Sequence, residues 1–208
     1  MKVKDVFLKT LKKVNREGID NVIQMLENLG FFNAPASIKF HGNYPGGLAE
    51  HSINVYEQAM YIWKIEQKVR PEAVSDITEE NIIISALLHD ICKSELYKPV
   101  KKWKKDDENN KWFQYDTYEK VYSDFPFGHG EKSVIRLLNC GFKLTESEML
   151  AIRWHMGGFD ISEYQDSRKC FDSAADKSSL VAIIVSADWL ATRIKEKEII
   201  QNDSGTTE

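Results

Sequence analysis

Residues 82–88 are almost entirely apolar, and they run directly into His89 and Asp90. Thr78 can cap a helix that begins here, with two glutamates in its first turn. Because a helix that is apolar nearly all round must be buried, we expect this one to lie at the centre of the molecule. A buried carboxylate costs several kcal/mol unless it is paired or bound to a metal. Asp90 therefore needs a compensating partner.

Helical periodicity also dominates the rest of the chain, and no internal repeat interrupts it. A capping box at Thr145 and Glu148 and a glycine at position 157 bound one of the helices. The sequence predicts a mainly α, single-domain helical bundle over residues 1–198, followed by a polar tail at 199–208. The segments with helical patterns are 18–30, 46–67, 78–90, 128–141, 145–158 and 177–197.

Residues 97–127 break this pattern, because lysines alternate with aromatic residues around a polar turn, DDENN. We expect a small β-hairpin that projects from the helical body. Excursions of this length are often functional, so the segment is a candidate lid. Its KKWKK run has two interpretations: a solvated edge strand, or a surface where Trp103 stacks on a base and the lysines attract phosphates.

Charge, hydropathy and cysteine content restrict the partners and the compartment that we expect for the protein. A net charge of −4 over 208 residues gives no reason to expect bulk binding to nucleic acid or to an anionic membrane. No apolar run approaches the roughly 18–20 residues of a membrane span, and no signal peptide is recognisable. Three widely spaced cysteines suggest reduced thiols, and we expect a cytoplasmic protein.

A second aspartate, Asp188, also lies within an apolar helical pattern. Each candidate has an ordinary alternative: an aspartate can cap a helix or pair with Arg153 or Arg193, and a histidine on an apolar face is more often a satisfied core residue. Taken together, imidazoles and carboxylates suit a borderline transition metal held in a bundle core. The ordered set is His51, His89, Asp90, His129, His155 and Asp188.

This set resembles the HD-domain superfamily of metal-dependent phosphohydrolases in its longer, two-metal form, H…HD…H…H…D. The similarity rests on the motifs GGLAEHS, ALLHDICK, FGHGEKS, IRWHM and SADWLAT, which extend from about Phe31 to Arg193. One departure is Cys92, where the family usually has glycine; a small buried thiol should be tolerated there.

The resemblance implies a role for each of these residues. His51, His89, Asp90 and Asp188 would hold one divalent metal; His129 and His155 would hold a second, with Asp90 as the bridge. Mn, Fe, Co, Ni or Zn fits these ligands better than Mg. Lys93 would face the substrate phosphate, and the alternative is a solvated lysine at a helix end.

The implied activity is hydrolysis of a phosphoester of a nucleotide or short oligonucleotide by a metal-activated water, with Asp90 and Lys93 as the catalytic residues. Two alternatives remain open: a di-iron oxygenase of the same fold, and a non-catalytic nucleotide-binding module. Neither a membrane partner nor a particular oligomeric state is implied by the sequence.

Three more residues are candidates for substrate contact. His41 is close to the first motif, and we weigh a substrate or supporting role equally against plain surface. Glu131 and Lys132 adjoin His129, and a solvated first helical turn is the equal alternative for both.

Overall fold

The computed structural model describes residues 2–107, 109–121, 125–161 and 165–197. The predicted polar tail at 199–208 lies outside these ranges. Within them, none of the helices is both long and apolar enough to cross a bilayer. The elements in chain order are α1 (Val3–Leu11), α2 (Ile19–Asn28), α3 (Gly47–Val69), α4 (Glu79–Leu88), β1 (Tyr97–Asp106), β2 (Lys111–Lys120), α5 (His129–Asn139), α6 (Glu146–Trp154), α7 (Gln165–Lys177) and α8 (Ser179–Leu190).

Helix α4 lies at the centre of the bundle, as its sequence predicts. Every residue from Ile82 to Leu88 is buried. Ile83, Leu87 and their neighbours pack into a core formed with α1, α2 and the first half of α3. The opposite face of α4 packs into a second core, formed by the rest of α3 with α6, α7 and α8. Both predicted helix caps are present, with the Thr78 and Thr145 hydroxyls each accepting a backbone N–H. The mainly α bundle is confirmed.

The excursion is an antiparallel hairpin of β1 and β2, paired in register from Tyr97 with Lys120 to Asp106 with Lys111. Its residues are mostly exposed on both faces. It joins the body at the 3-10 turn Ile91–Glu95, where the Val121 N–H donates to the Leu96 carbonyl. The hairpin is therefore confirmed, and its role as a lid stays a prediction.

Helices α5 and α6 approach each other unusually closely at Gly130. A Cβ atom there would lie 2.2 Å from the Arg153 carbonyl oxygen, which is far inside van der Waals contact. Only glycine fits such a contact between two backbones without displacing one of them. The close approach brings His129, the first residue of α5, beside His155, which follows α6.

Arg16, in the loop between α1 and α2, links three parts of the bundle. Its guanidinium donates to Glu80 at 2.7 Å and to Glu148 at 2.6 Å. It also donates to the Lys143 carbonyl at 3.0 Å. The Glu148 side chain is fully buried, so its charge depends on this contact. Arginine suits the site because its planar fork presents several donors at once.

Arg16→Met is expected to lower the free energy of unfolding by about 3 kcal/mol, because it leaves the Glu148 carboxylate buried without its cation. Urea denaturation followed by circular dichroism would measure the change. Lys4→Met is the matched control: Lys4 pairs with Glu27 at 2.6 Å on the surface, where such a pair contributes at most about 1 kcal/mol. Equal losses in the two variants would contradict the structural role of Arg16.

Candidate metal centre

All five histidines of the chain gather at one end of the bundle. His51 projects from α3, His89 ends α4, and His41 lies in the loop before α3. Their imidazole rings form one row, in which neighbouring ring centroids are 4.8, 5.3, 4.7 and 5.7 Å apart. The order of the row is His41, His51, His89, His155 and His129.

Asp90 lies at the middle of this row, and its two carboxylate oxygens face different histidines. Oδ1 is 2.8 Å from Nε2 of His129 and 3.3 Å from Nε2 of His155. Oδ2 is 3.2 Å from Nε2 of His89 and 3.8 Å from Nε2 of His51. One carboxylate oxygen is thus directed at each of two histidine pairs, and the assignment of these pairs to two metal ions stays a prediction.

Asp188 completes the first of these sets. It lies in the last turn of α8, and its Oδ1 is 3.2 Å from Nε2 of His51. The two arginines that the sequence offers as alternative partners of Asp188 have other contacts. Arg153 instead pairs with Glu131 and Asp160, and the Arg193 guanidinium lies over the ring of Trp189.

The Nδ1 atoms of three histidines are engaged away from the cluster centre. Nδ1 of His89 contacts the Ala86 carbonyl at 2.8 Å, and Nδ1 of His155 contacts the Ile152 carbonyl at 2.7 Å. Nδ1 of His51 is 3.1 Å from a carboxylate oxygen of Glu196. An N–H donated to these acceptors leaves the lone pair on Nε2, which is the tautomer that a metal ligand needs.

The inward-facing atoms lack well-aligned hydrogen bonds, although they are buried. These atoms are Asp90 Oδ1 and Nε2 of His51, His89 and His155. They lie at ion-pair distance from one another or from His129 and Asp188, and a ligand with better geometry would stabilise them further, because a buried polar atom without a good hydrogen bond costs about 1–3 kcal/mol. Imidazole nitrogens with carboxylate oxygens suit a divalent transition metal, and the donor set fits one. Two compact groups of described residues that could hold an ion contain Asp90: one adds His51 and His89, and the other adds Cys92 and His129.

Carboxylates control the protonation of the cluster in the metal-free protein. Burial lowers the pKa of His51, but Asp188 and Glu196 outweigh that effect and raise it to about 9. Burial likewise opposes protonation of His129, and the charge of Asp90 raises its pKa to about 10. His89, which is fully buried, has a lowered pKa.

Lys93 supplies a permanent positive charge beside Asp90. Its Nζ is 2.6 Å from Asp90 Oδ2, and the side chain is largely buried. Burial works against both charges, yet the attraction of Asp90 raises the pKa of Lys93 and the ammonium lowers the pKa of Asp90 well below its usual range. The pKa of Asp188 is also lowered, because contact with His51 outweighs burial. These three groups therefore stay charged together.

The other candidates for substrate contact are placed differently. His41 lies against His51 and lines the pockets on both sides of the cluster; burial lowers its pKa to about 4. Glu131 pairs with Arg153 at 2.5 Å, and Lys132 is buried near Glu95 at 3.5 Å. Trp103 is on the exposed hairpin and lines neither pocket. The structure brings only His41 to the metal cluster, and the substrate roles of all four stay predictions.

Glu196 is a site residue that sequence reasoning missed. After Leu190 the chain widens into a π-helical turn, Ala191–Lys195, which places Glu196 against His51 and Asn54. Single π turns often occur at functional sites. The only signal in the sequence is an acidic residue in a charged stretch, which does not distinguish Glu196 from its neighbours.

Cys92 occupies the position where glycine was expected. Its Sγ is 3.5 Å from Nδ1 of His129, and its backbone N–H donates to the Ser133 hydroxyl. The residue is buried, so the thiol fits beside the cluster as the sequence predicts.

The sequence model of the HD domain matches residues 48–193, and the chain belongs to this family. A curated relative is the dihydroneopterin 2′,3′-cyclic phosphate phosphodiesterase of Methanocaldococcus jannaschii, which is 36% identical over 91 residues. The alignment covers 44% of this chain and 33% of the relative, so the chain spans only a part of that protein. Comparison with proteins of solved structure gave no match.

Proposed function

We propose that the protein is a metal-dependent phosphodiesterase that uses water to open a phosphodiester of a small nucleotide-like compound. The observation that carries this proposal is the placement of Asp90, whose two oxygens face two separate histidine pairs. A carboxylate in that position can bridge two cations, and paired divalent ions are suited to in-line displacement at phosphorus.

Each residue of the candidate metal centre would then have a definite role. His51, His89 and Asp188 would hold the first ion, His129 and His155 would hold the second, and Asp90 would contribute to both. Bound divalent ions supply the charge that makes water nucleophilic near neutral pH and that offsets the phosphoryl oxygens. Glu196 keeps the lone pair of His51 directed inward. The Lys93 ammonium donates to a phosphoryl oxygen in the transition state.

The relative supports the substrate class. Its name specifies a 2′,3′-cyclic phosphate, a strained five-membered phosphodiester. We infer that the present protein acts on the same type of bond, in a nucleotide or a related small molecule. Short RNA oligonucleotides that end in a 2′,3′-cyclic phosphate stay within this class, because that end carries the same cyclic phosphodiester.

A metal and substrate screen tests the proposal. The protein is freed of metal, reloaded with Mn, Co, Ni, Fe, Zn or Mg, and incubated with cyclic nucleotides, linear dinucleotides and phosphomonoesters. We expect conversion of the cyclic compounds to phosphomonoesters, with no consumption of dissolved oxygen. Oxygen uptake without ester cleavage would instead identify an oxygenase. Tight nucleotide binding without turnover under every metal would identify a binding module.

Lys93→Met is expected to reduce turnover about 100-fold while the bound metal stays unchanged, because the ammonium contributes transition-state charge stabilisation of about 3 kcal/mol. Steady-state kinetics and elemental analysis on the same samples would show this. Lys9→Met, on the exposed face of α1, is the control and should behave like the parent. A loss of metal in Lys93→Met would contradict a role confined to substrate.

His129→Ala and His155→Ala should each lower the metal content from two ions toward one, since both residues belong to the second set. Elemental analysis after gel filtration would give the ratio of metal to protein. Asp116→Asn is the comparison, because Asp116 is exposed on β2 and belongs to none of the residue groups that could hold an ion, so it should leave the count at two. A metal content equal to that of the parent in both variants would show that His129 and His155 hold no second ion, which is the expectation for a single-metal centre.

A further inference from the structure

The pocket that opens beside the metal cluster has a volume of about 660 Å³. Lys93, His155 and Asp188 contribute to its lining, so the reacting phosphate and the remainder of a substrate would share this space. Pockets for small molecules commonly measure roughly 300–1,000 Å³, and a nucleotide fits within that range. The pocket is therefore large enough for more than the phosphate.

Three aromatic side chains line the same pocket and face solvent. Phe40 is 80% exposed, Phe159 is 68% exposed and Trp189 is 48% exposed. A single exposed aromatic residue needs no explanation, but a group of them around one pocket marks a binding surface. An exposed ring contributes less to stability than a buried one, so three exposed rings around one pocket favour a role in binding.

In the sequence, each of the three aromatic residues lies within four positions of a residue of the histidine–aspartate cluster. Phe40 precedes His41, and Trp189 follows Asp188. Phe159 lies in the 3-10 turn Gly157–Asp160, which begins two residues after His155. Gly157 begins this turn with φ +54°, a conformation that L side chains rarely adopt. Short connections of this kind restrict how far the aromatic rings can move from the cluster.

Phe159 and Trp189 form a stacked pair, with ring centroids 5.5 Å apart and an interplanar angle of 21°. The Arg193 guanidinium lies 4.8 Å from the Trp189 ring centroid and lines the same pocket. Parallel rings present a flat, polarisable face, and a guanidinium over one of them adds positive charge. Such a surface favours a planar, electron-rich heterocycle over a sugar or an alkyl chain.

We propose that Phe40, Phe159 and Trp189 form a binding site for the planar heterocycle of the substrate, so that the enzyme selects phosphodiesters carrying a purine-like or pterin-like ring. This inference rests on the proposed function for the position of the phosphate. The ring of the substrate is thereby assigned to this pocket and not to the hairpin. Trp103, on the hairpin, is 61% exposed, similar to Phe159, but it does not line the pocket.

The test uses two substrates with the same scissile bond. Adenosine 2′,3′-cyclic phosphate carries the ring, and methyl β-D-ribofuranoside 2′,3′-cyclic phosphate lacks it. Since a base stacked on an aromatic side chain typically gains 10-fold to 100-fold in affinity, we expect the parent to prefer the adenosine compound by about that factor in kcat/KM.

Phe159→Ala and Phe40→Ala should each lower kcat/KM for the adenosine compound by about 10-fold and leave the ring-free compound within about 2-fold. Phe159→Trp should restore the preference, since it restores a flat ring, whereas Phe159→Leu should not. Trp103→Ala is the matched control, with a similarly exposed ring outside the pocket. Exposure of these side chains means that their removal should not unfold the protein.

A second readout measures binding without turnover. Isothermal titration calorimetry compares adenosine 3′-monophosphate with ribose 5-phosphate in the parent, in Phe159→Ala and in Trp103→Ala. We expect the parent to bind the adenosine compound at least 10-fold more tightly, Phe159→Ala to lose most of this difference, and Trp103→Ala to keep it.

The two readouts separate the inference from the proposed function. If neither cyclic phosphate is hydrolysed but ring-dependent binding persists, the pocket assignment stands and the proposed reaction fails. Equal kcat/KM for both substrates, together with equal binding of both ligands, would overturn the pocket assignment while the reaction stands. Loss of the preference in Trp103→Ala alone would also overturn it, in favour of the hairpin.

Discussion

Asp90→Asn is expected to reduce phosphodiester hydrolysis by about a thousandfold or more, equivalent to about 4 kcal/mol of transition-state stabilisation. Asparagine keeps the shape of the side chain but removes the negative charge that faces four histidines and Lys93. Without that charge, two cations cannot be held at the separation that a bridging carboxylate permits. Steady-state turnover and metal content, both measured on the reloaded variant, would show the effect.

Asp116→Asn is the control for this substitution, because Asp116 is exposed on β2 and far from the cluster. Circular dichroism should show the same helical content in parent and variant, since α4 is held by its apolar contacts on both sides. If Asp90→Asn keeps more than a tenth of the parent turnover, the assignment of Asp90 as the bridge is wrong.

Removal of the metal is expected to lower the melting temperature by about 10 °C. An ion present at 1,000 times its dissociation constant adds about 4 kcal/mol to the stability of the folded state, and each kcal/mol shifts the midpoint by about 2–4 °C in a chain of this size. The cause in this structure is the cluster of buried ligand atoms that lack aligned hydrogen bonds. Thermal unfolding before and after chelation, and again after metal is restored, measures the shift.

Asp90→Asn provides the control, because a variant with a damaged centre should respond much less to the chelator than the parent does. The shift should also be reversed by Mn, Co, Ni, Fe or Zn more effectively than by Mg, since imidazole ligands favour the former ions. Identical melting of the parent with and without chelator would show that the cluster does not bind metal in the folded state.

The central helix and the positions of the cluster residues could be predicted from sequence because each leaves a strong local pattern. An all-apolar helix that ends in His89 and Asp90 has few stable locations other than the centre of a bundle. Asp188 stands out for the same reason, as a carboxylate among apolar residues. The structure brings both aspartates and the four histidines to one place, and their roles as ligands stay predictions.

Other parts of the structure depend on contacts between distant residues, and these leave no periodic signal. Arg16 lies in an ordinary polar loop, yet it closes ion pairs with Glu80 and Glu148 from two helices. Glu196 reaches His51 only because a π-helical turn changes the direction of the chain after α8. A regular helix through the same residues would direct this carboxylate elsewhere.

The aromatic pocket shows a further limit of reasoning from sequence. The lysine-rich hairpin attracts attention because its aromatic residues are contiguous and basic residues surround them. Phe40, Phe159 and Trp189 come from three separate segments, and each is unremarkable on its own. Only the fold shows that they line one pocket with Lys93 and Asp188.

The most direct test of the metal centre is a crystal structure of the protein loaded with Mn, with anomalous scattering recorded at the manganese edge. The account predicts two peaks on either side of Asp90, one within coordination distance of His51, His89 and Asp188, and the other within coordination distance of His129 and His155. A single peak, or ions bound without contact to Asp90, would contradict it.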